Sequence, residues 1–194
     1  MIDKLLGAGG LLLIAAALLL SGGQLLESRQ AAAASAQILQ QMELSAPAER
    51  APDSAAVAPD PAQEMPTEKV DGQNCIGVLE IPSLSLSLPV LSTWSDAGLR
   101  LAPCRYQGSA SRGDLIIAAH NYRRHFGTLH RLCAGDAVFF TDAAGNRFAY
   151  AVSYTEQLAG TAVAEMAAGD WDLTLFTCTA GGKDRLAIRC KASC

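Results

Sequence analysis

The chain has 194 residues, half of them apolar, which is enough for one sizeable core and appendages besides. Its formal net charge is -4, and the 15 Lys and Arg are scattered along it. That distribution lacks the basic footprint of a nucleic-acid binder, so no nucleic-acid partner is expected.

In chain order, the first feature is an uncharged run from Leu5 to Leu26, "LLGAGGLLLIAAALLLSGGQLL". About 20 such residues are what a helix needs to cross a bilayer. A cleavable signal peptide would place small residues directly behind the run, and the best match, Ala34-Ser35-Ala36, lies well beyond Leu20. Residues 1–27 are therefore predicted to be an uncleaved membrane anchor, with the remainder exported. Lys4 and the terminal amine before the span lean slightly toward an inside N-terminus. Residues 28–73 read as a spacer. Ser28 to Leu44 are rich in helix formers and could prolong the anchor as a stalk. Ser45 to Gly72 hold five of the eight prolines among Ala, Asp and Glu, the composition of an extended linker.

From about Asn74 to Cys194 the pattern turns to period two. Strands are predicted at Ile76–Ile81, Leu84–Leu88, Gly113–Ala119, Asp136–Thr141, Arg147–Tyr154, Asp172–Cys178 and Arg185–Cys190, separated by turns at Pro82-Ser83, Ala144-Gly145-Asn146 and Gly181-Gly182. Seven or eight short strands imply an all-β sandwich or closed barrel. Helical insertions are expected only near Trp94–Leu101 and at "TAVAEMAAG", Thr161–Gly169.

Six cysteines, at 75, 104, 133, 178, 190 and 194, leave the disulfide pattern open. No Cys-x-x-Cys pair suggests zinc, and the acids Glu156 and Glu165 are too few for calcium, so neither metal nor cofactor is expected. "LTLFTC" ends a strand in Cys178, and Arg185 opens the next. The histidines are His120, at the end of the apolar strand "LIIAAH", and His125 and His130, which fall in a loop-like stretch where exposure is the default expectation. A thiolate beside a proton carrier and a cation is the composition of a covalent acyl-transfer site. A papain-like order is set aside, because here the cysteine follows the histidine and ends a strand.

The segments "LTLFTCT" and "DRLAI", with "IGVLEIPSLSLSLPVL" and "GDLIIAAHNYRRHFGTLHRLCAGDAVFF" before them, resemble the sortases, membrane-anchored cysteine transpeptidases of Gram-positive bacteria. The resemblance covers about Cys75 to Lys191. It implies a closed seven- to eight-stranded sortase-type β-barrel with short helical insertions behind an N-terminal transmembrane helix. Residue by residue, it makes Cys178 the nucleophile and His120 the catalytic histidine, with Arg185 the arginine and Asn121 and Thr177 substrate-binding neighbours. Arg189, four residues on and on the same strand face, competes with Arg185 but should lie about 13 Å further along. Ala119 departs from the glycine that many members carry before the histidine.

The activity implied is cleavage of a C-terminal LPxTG-like or Asn-Pro-type sorting signal of a secreted protein. It would proceed through a thioester, followed by transfer to an amine of a peptidoglycan precursor or a pilin lysine. The His120-Asn121 pair is similar to class B members and "RLAIRC" to the pilus-polymerising class, so the subclass stays open. The alternatives are an exported hydrolase of the same fold and a catalytically inactive β-domain.

Overall fold

The computed structural model of the protein describes Gly23, residues 25–42 and residues 64–193. All but the last residues of the expected membrane segment, and most of the expected linker, lie outside these. No helix among the described residues is long and apolar enough to cross a membrane.

Nine strands build the domain: β1 (Glu68–Val70), β2 (Gln73–Ile81), β3 (Leu86–Leu91), β4 (Cys104–Gln107), β5 (Leu115–Ala118), β6 (Ala137–Asp142), β7 (Arg147–Ala159), β8 (Leu173–Cys178) and β9 (Asp184–Ala192). The sheet order is β1-β2-β3-β4-β5-β8-β9-β7-β6, and β6 pairs back onto β2. Strands β2 to β9 thus close an eight-stranded barrel, the all-β architecture expected. β1 shares an edge of β2 with β6: it pairs with Gln73–Cys75, while β6 pairs with Gly77–Glu80.

All seven predicted strands are present, several of them longer than predicted. β1 and β4 were not anticipated. β1 falls in sequence whose composition reads as linker. β4, "CRYQ", is short, has two half-buried residues and is irregular between Arg105 and Gln107, so no clean alternation marks it. The two predicted insertions are helical but brief: α2 (Asp96–Leu99), capped by the Ser95 hydroxyl, which accepts from Gly98 N at 2.9 Å, and α3 (Val163–Ala167).

Alternation along the strands sorts side chains between two cores. Leu115, Ile117 and Ala119, Leu173 and Leu175, and Ile188 and Cys190 point into the barrel. Ala118 and Phe176 point out, toward a second cluster with Val70, Cys75, Leu91, Leu99 and Cys104.

This outer cluster is covered by a helix, α1, over residues 25–42. Its helix-forming composition was legible, but it does not stand away as a stalk. Ala31, Ser35, Ile38 and Met42 are buried at helical spacing, and Ile38 and Met42 join the outer cluster. Ser35 Oγ donates to the Leu101 carbonyl at 2.6 Å, so it accepts from His125 Nε2 at 2.9 Å. His125, expected on the surface, is therefore fully buried under α1, with Nδ1 unpartnered. His130 is exposed, as expected, and shares a hydrogen bond with the Gly127 carbonyl.

Burial pushes His125 down to about 4 from its ordinary 6.5. The unfolded chain takes up a proton below pH 6.5 that the folded chain refuses, so the folded state loses stability as pH falls from 6.5 toward 4. That difference corresponds to about 3 kcal/mol. Chemical denaturation of the full-length protein at stepped pH should show this slope, and His125→Asn should flatten it.

Candidate active site

His120 and Cys178 are brought to one rim by strand pairing. β5 and β8 run parallel, with Ala118 opposite Phe176, so the next outward positions, two residues on, are His120 and Cys178. Ala119 N donates to the Phe176 carbonyl at 3.2 Å and Thr177 Oγ1 donates to the Ala119 carbonyl at 2.8 Å. These bonds clamp the two strand ends together. On the other side, β8 and β9 are antiparallel and Cys178 lies directly opposite Arg185. Three of the predicted residues therefore share one outward face.

The turn between β8 and β9 is closed by Thr179 N to the Asp184 carbonyl (3.0 Å) and Gly182 N to the Thr179 carbonyl (2.9 Å). Gly181 and Gly182 both take positive φ there, which suits glycine. Arg185 Nη1 donates to the carbonyls of Gly182 and Asp184 at 3.0 and 3.1 Å. The segment after His120 is held by Phe126 N to the His120 carbonyl (3.2 Å) and Gly127 N to the Tyr122 carbonyl (2.9 Å). A side chain at Gly127 would run into the backbone of Asn121 and Tyr122.

These residues open onto a pocket of about 290 Å³. Ala118 and Phe176 line it with Tyr106 of β4; Trp94, Asp96 and Leu99 stand on one flank, and Gly160, Val163 and Met166 from the β7–β8 connection on the other. Trp94, Tyr106 and Phe176 meet edge to face, with centroids 6.5 and 5.3 Å apart. The sequence marked Trp94–Leu101 only as helical, and no local signal showed that β4 would carry Tyr106 beside it.

His120 is held below its ordinary 6.5, chiefly by burial and then by the Arg100 charge, with Asp96 and Glu27 opposing. Its ring packs against Tyr122 at 4.9 Å, and burial and then the Glu27 charge of α1 push the Tyr122 phenol above its ordinary value. Thr177 lines the pocket but is buried, its hydroxyl engaged with Ala119. Asn121 is exposed and belongs to a separate groove against α1.

Arg189 has a different environment. It is 2% exposed, pairs with Glu156 at 2.7 Å, and donates to the Met166 and Glu165 carbonyls (2.6 and 2.8 Å) and to Thr174 Oγ1 (3.1 Å). It pins α3 onto the barrel wall, four residues from the rim that carries Arg185.

All five described cysteines are free thiols. Cys75 and Cys104 both neighbour Leu91, from opposite sides of β3, which separates them by about 10 Å, too far for a disulfide. Burial pushes both thiols up to about 11 and Cys190 to about 12, the behaviour of core thiols. Cys133 is exposed, whereas Cys178 is half-buried at the pocket. Among the described residues, no group of three or more His, Cys, Asp or Glu could hold a metal ion.

Residues 79–193 match the family model described as the sortase domain. The chain belongs to the sortase family. Solved sortases share the fold. Sortase C1 of GBS pilus island 1 aligns with a TM-score of 0.54 and 21% identity over 62% of this chain and 64% of that one. Sortase A from Corynebacterium diphtheriae aligns at 0.55 and 21%, over 63% and 62%. A Clostridium perfringens sortase C, solved with the C-terminal cell wall sorting motif, aligns at 0.54 and 22%, over 62% and 71%. The chain thus spans less than two thirds of the first and second of these relatives. No curated protein matches it by sequence.

Replacing Arg189 by Met should destabilise the domain by about 2 to 4 kcal/mol, because it strands the Glu156 carboxylate and two carbonyls. Exchange at Val163–Ala167 should rise more than elsewhere. Unchanged protection there would show that the arginine does not hold α3.

Proposed function

We propose that this sortase is a cysteine transpeptidase. Cys178 is the nucleophile and His120 the proton carrier, while Arg185 stabilises the oxyanion or a substrate carbonyl. The observation that carries the reading is the meeting of these three side chains on one outward rim, at the end of a pocket walled by aromatic and aliphatic residues. A core thiol would not need that rim.

The chemistry follows from the environment. Burial favours neutral imidazole at His120, so the base can take the Cys178 proton as the sulfur attacks the scissile carbonyl. The resulting imidazolium gives that proton to the departing amine, leaving a thioester. The acceptor amine then loses a proton to His120 and displaces the sulfur, which recovers the proton. Arg185 keeps its charge throughout, and its planar fork suits a carbonyl oxygen whose charge is growing. Thr177 is assigned a positioning role, since its hydroxyl ties β8 to the residue before His120.

The donor is a C-terminal sorting signal of the LPxTG or Asn-Pro type, bound extended across the pocket. The acceptor is an amine of a peptidoglycan precursor or a pilin. The apolar run at residues 5–26 anchors the chain in the cell membrane with the barrel outside, where tethering raises the effective concentration of membrane-held substrates.

Full-length protein in detergent, incubated with fluorogenic signal peptides with and without triglycine, should yield a ligated product by mass spectrometry that Cys178→Ala abolishes. His120→Ala should lower kcat/KM by about 10²- to 10⁴-fold, and Arg185→Lys by about 10²- to 10³-fold. The acid limb of kcat/KM should have its midpoint below pH 6.5, because only the neutral imidazole accepts the proton. Cleavage that no amine diverts would make the protein a hydrolase, and the absence of any Cys178-dependent reaction would leave a β-domain without this activity.

A further inference from the structure

The reaction has two substrates, and the pocket beside Phe176 and Met166 serves the donor. A second depression, about 1060 Å³, opens against α1. One wall is the helix, with Glu27 and Arg29. The other is made of the segments that directly follow the two reacting residues: Asn121 to Arg124 after His120, and Ala180 and Gly181 after Cys178. By chain continuity this groove starts one residue from the histidine and two from the cysteine; the pair itself lines only the donor pocket, and the two depressions share no lining residue.

Its charges are unevenly matched. Arg29, Arg123 and Arg124 line it, all exposed, and none makes a salt bridge among the described residues. Glu27 is its single acidic lining residue, and it shares the groove with Tyr122, whose ring packs on His120. A bare amine would gain from Glu27 and be repelled by the three arginines. A ligand with an ammonium at one end and an anion beyond it satisfies both.

We propose that this groove binds the acceptor amine, and that the acceptor carries a carboxylate or phosphate beyond its reactive nitrogen. Glu27 receives the ammonium beside His120, and the arginines receive the anion. The assignment rests on the transpeptidase reading and adds that α1, outside the matched domain, completes the acceptor site.

The test uses the full-length protein in detergent and three acceptors: triglycine, which has an amine and a carboxylate; triglycinamide, which has the amine alone; and phosphoethanolamine, which has an amine and a phosphate. Triglycine or phosphoethanolamine should show an acceptor KM about fivefold below that of triglycinamide, the scale exposed charge pairs supply. Whichever is favoured names the anion. Arg123→Gln with Arg124→Gln should erase the difference while leaving the donor KM in place, and Glu27→Gln should raise the KM of all three acceptors. Ligation with equal KM for the three, or with a difference that survives the double substitution, overturns the acceptor site and leaves transpeptidation standing. If no ligation occurs at all, the function reading fails separately. Calorimetric titration of the Cys178→Ala chain with the same compounds then decides the groove: it is overturned if none binds, or if binding ignores the arginine substitutions.

Discussion

The candidate site depends on the parallel pairing of β5 with β8. Parallel neighbours finish at the same edge of a sheet, so a histidine just past one strand and a cysteine ending the other emerge on one rim although 57 residues separate them in the chain. An antiparallel arrangement would send them to opposite ends of the barrel. The register matters as much as the direction. A slip of one residue would turn either Cys178 or His120 into the core occupied by Leu175 and Ile117. The Thr177 and Ala119 bonds guard that register, which gives a physical role to the polar residue buried immediately before the cysteine.

Much of this was legible because the barrel's inner face enforces alternation. "LTLFTC" and "DRLAIRC" announce β8 and β9 and the outward parity of Cys178 and Arg185. The four consecutive apolar residues of β5 announce a strand covered on both sides. What the sequence did not disclose is what does the covering. An Ala-rich helix of modest hydrophobicity has little in its composition to say whether it stands free or docks. The docking is decided by the small contact residues Ala31 and Ser35 and by a partner, His125, ninety residues away. The burial of His125 was missed for the same reason: the element that buries it is remote. β4 was missed because its residues are divided among the outer cluster, the pocket and solvent.

The two arginines of β9 show how a strand can give like residues unlike tasks. Both face outward, but Arg185 is opposite Cys178 at the strand's open end, whereas Arg189 is opposite Thr174 beneath α3. A buried guanidinium persists only where its donors are satisfied, and Arg189 meets this with a carboxylate, two carbonyls and a hydroxyl. Its contribution to the pocket is indirect. By fixing the Glu165 and Met166 carbonyls it sets where Val163 and Met166 stand as a wall.

Arg185 is held less completely, and that difference suits its proposed task. Of five donors on a guanidinium, only Nη1 is engaged by the Gly182 and Asp184 carbonyls. Those contacts orient the side chain from its own turn and leave Nε and Nη2 for a substrate oxygen. Its place opposite the cysteine does not depend on the turn alone, because β9 is paired on both sides: Arg185 faces Cys178 on β8 and Leu158 on β7. A change in the length of the Thr179–Lys183 turn would have to break two ladders to move the arginine along the rim. The guanidinium's contacts at Gly182 would go first. Turn and ladder thus control different quantities, the orientation of the cation and its distance from the sulfur, and a site that stabilises a transient oxyanion needs both.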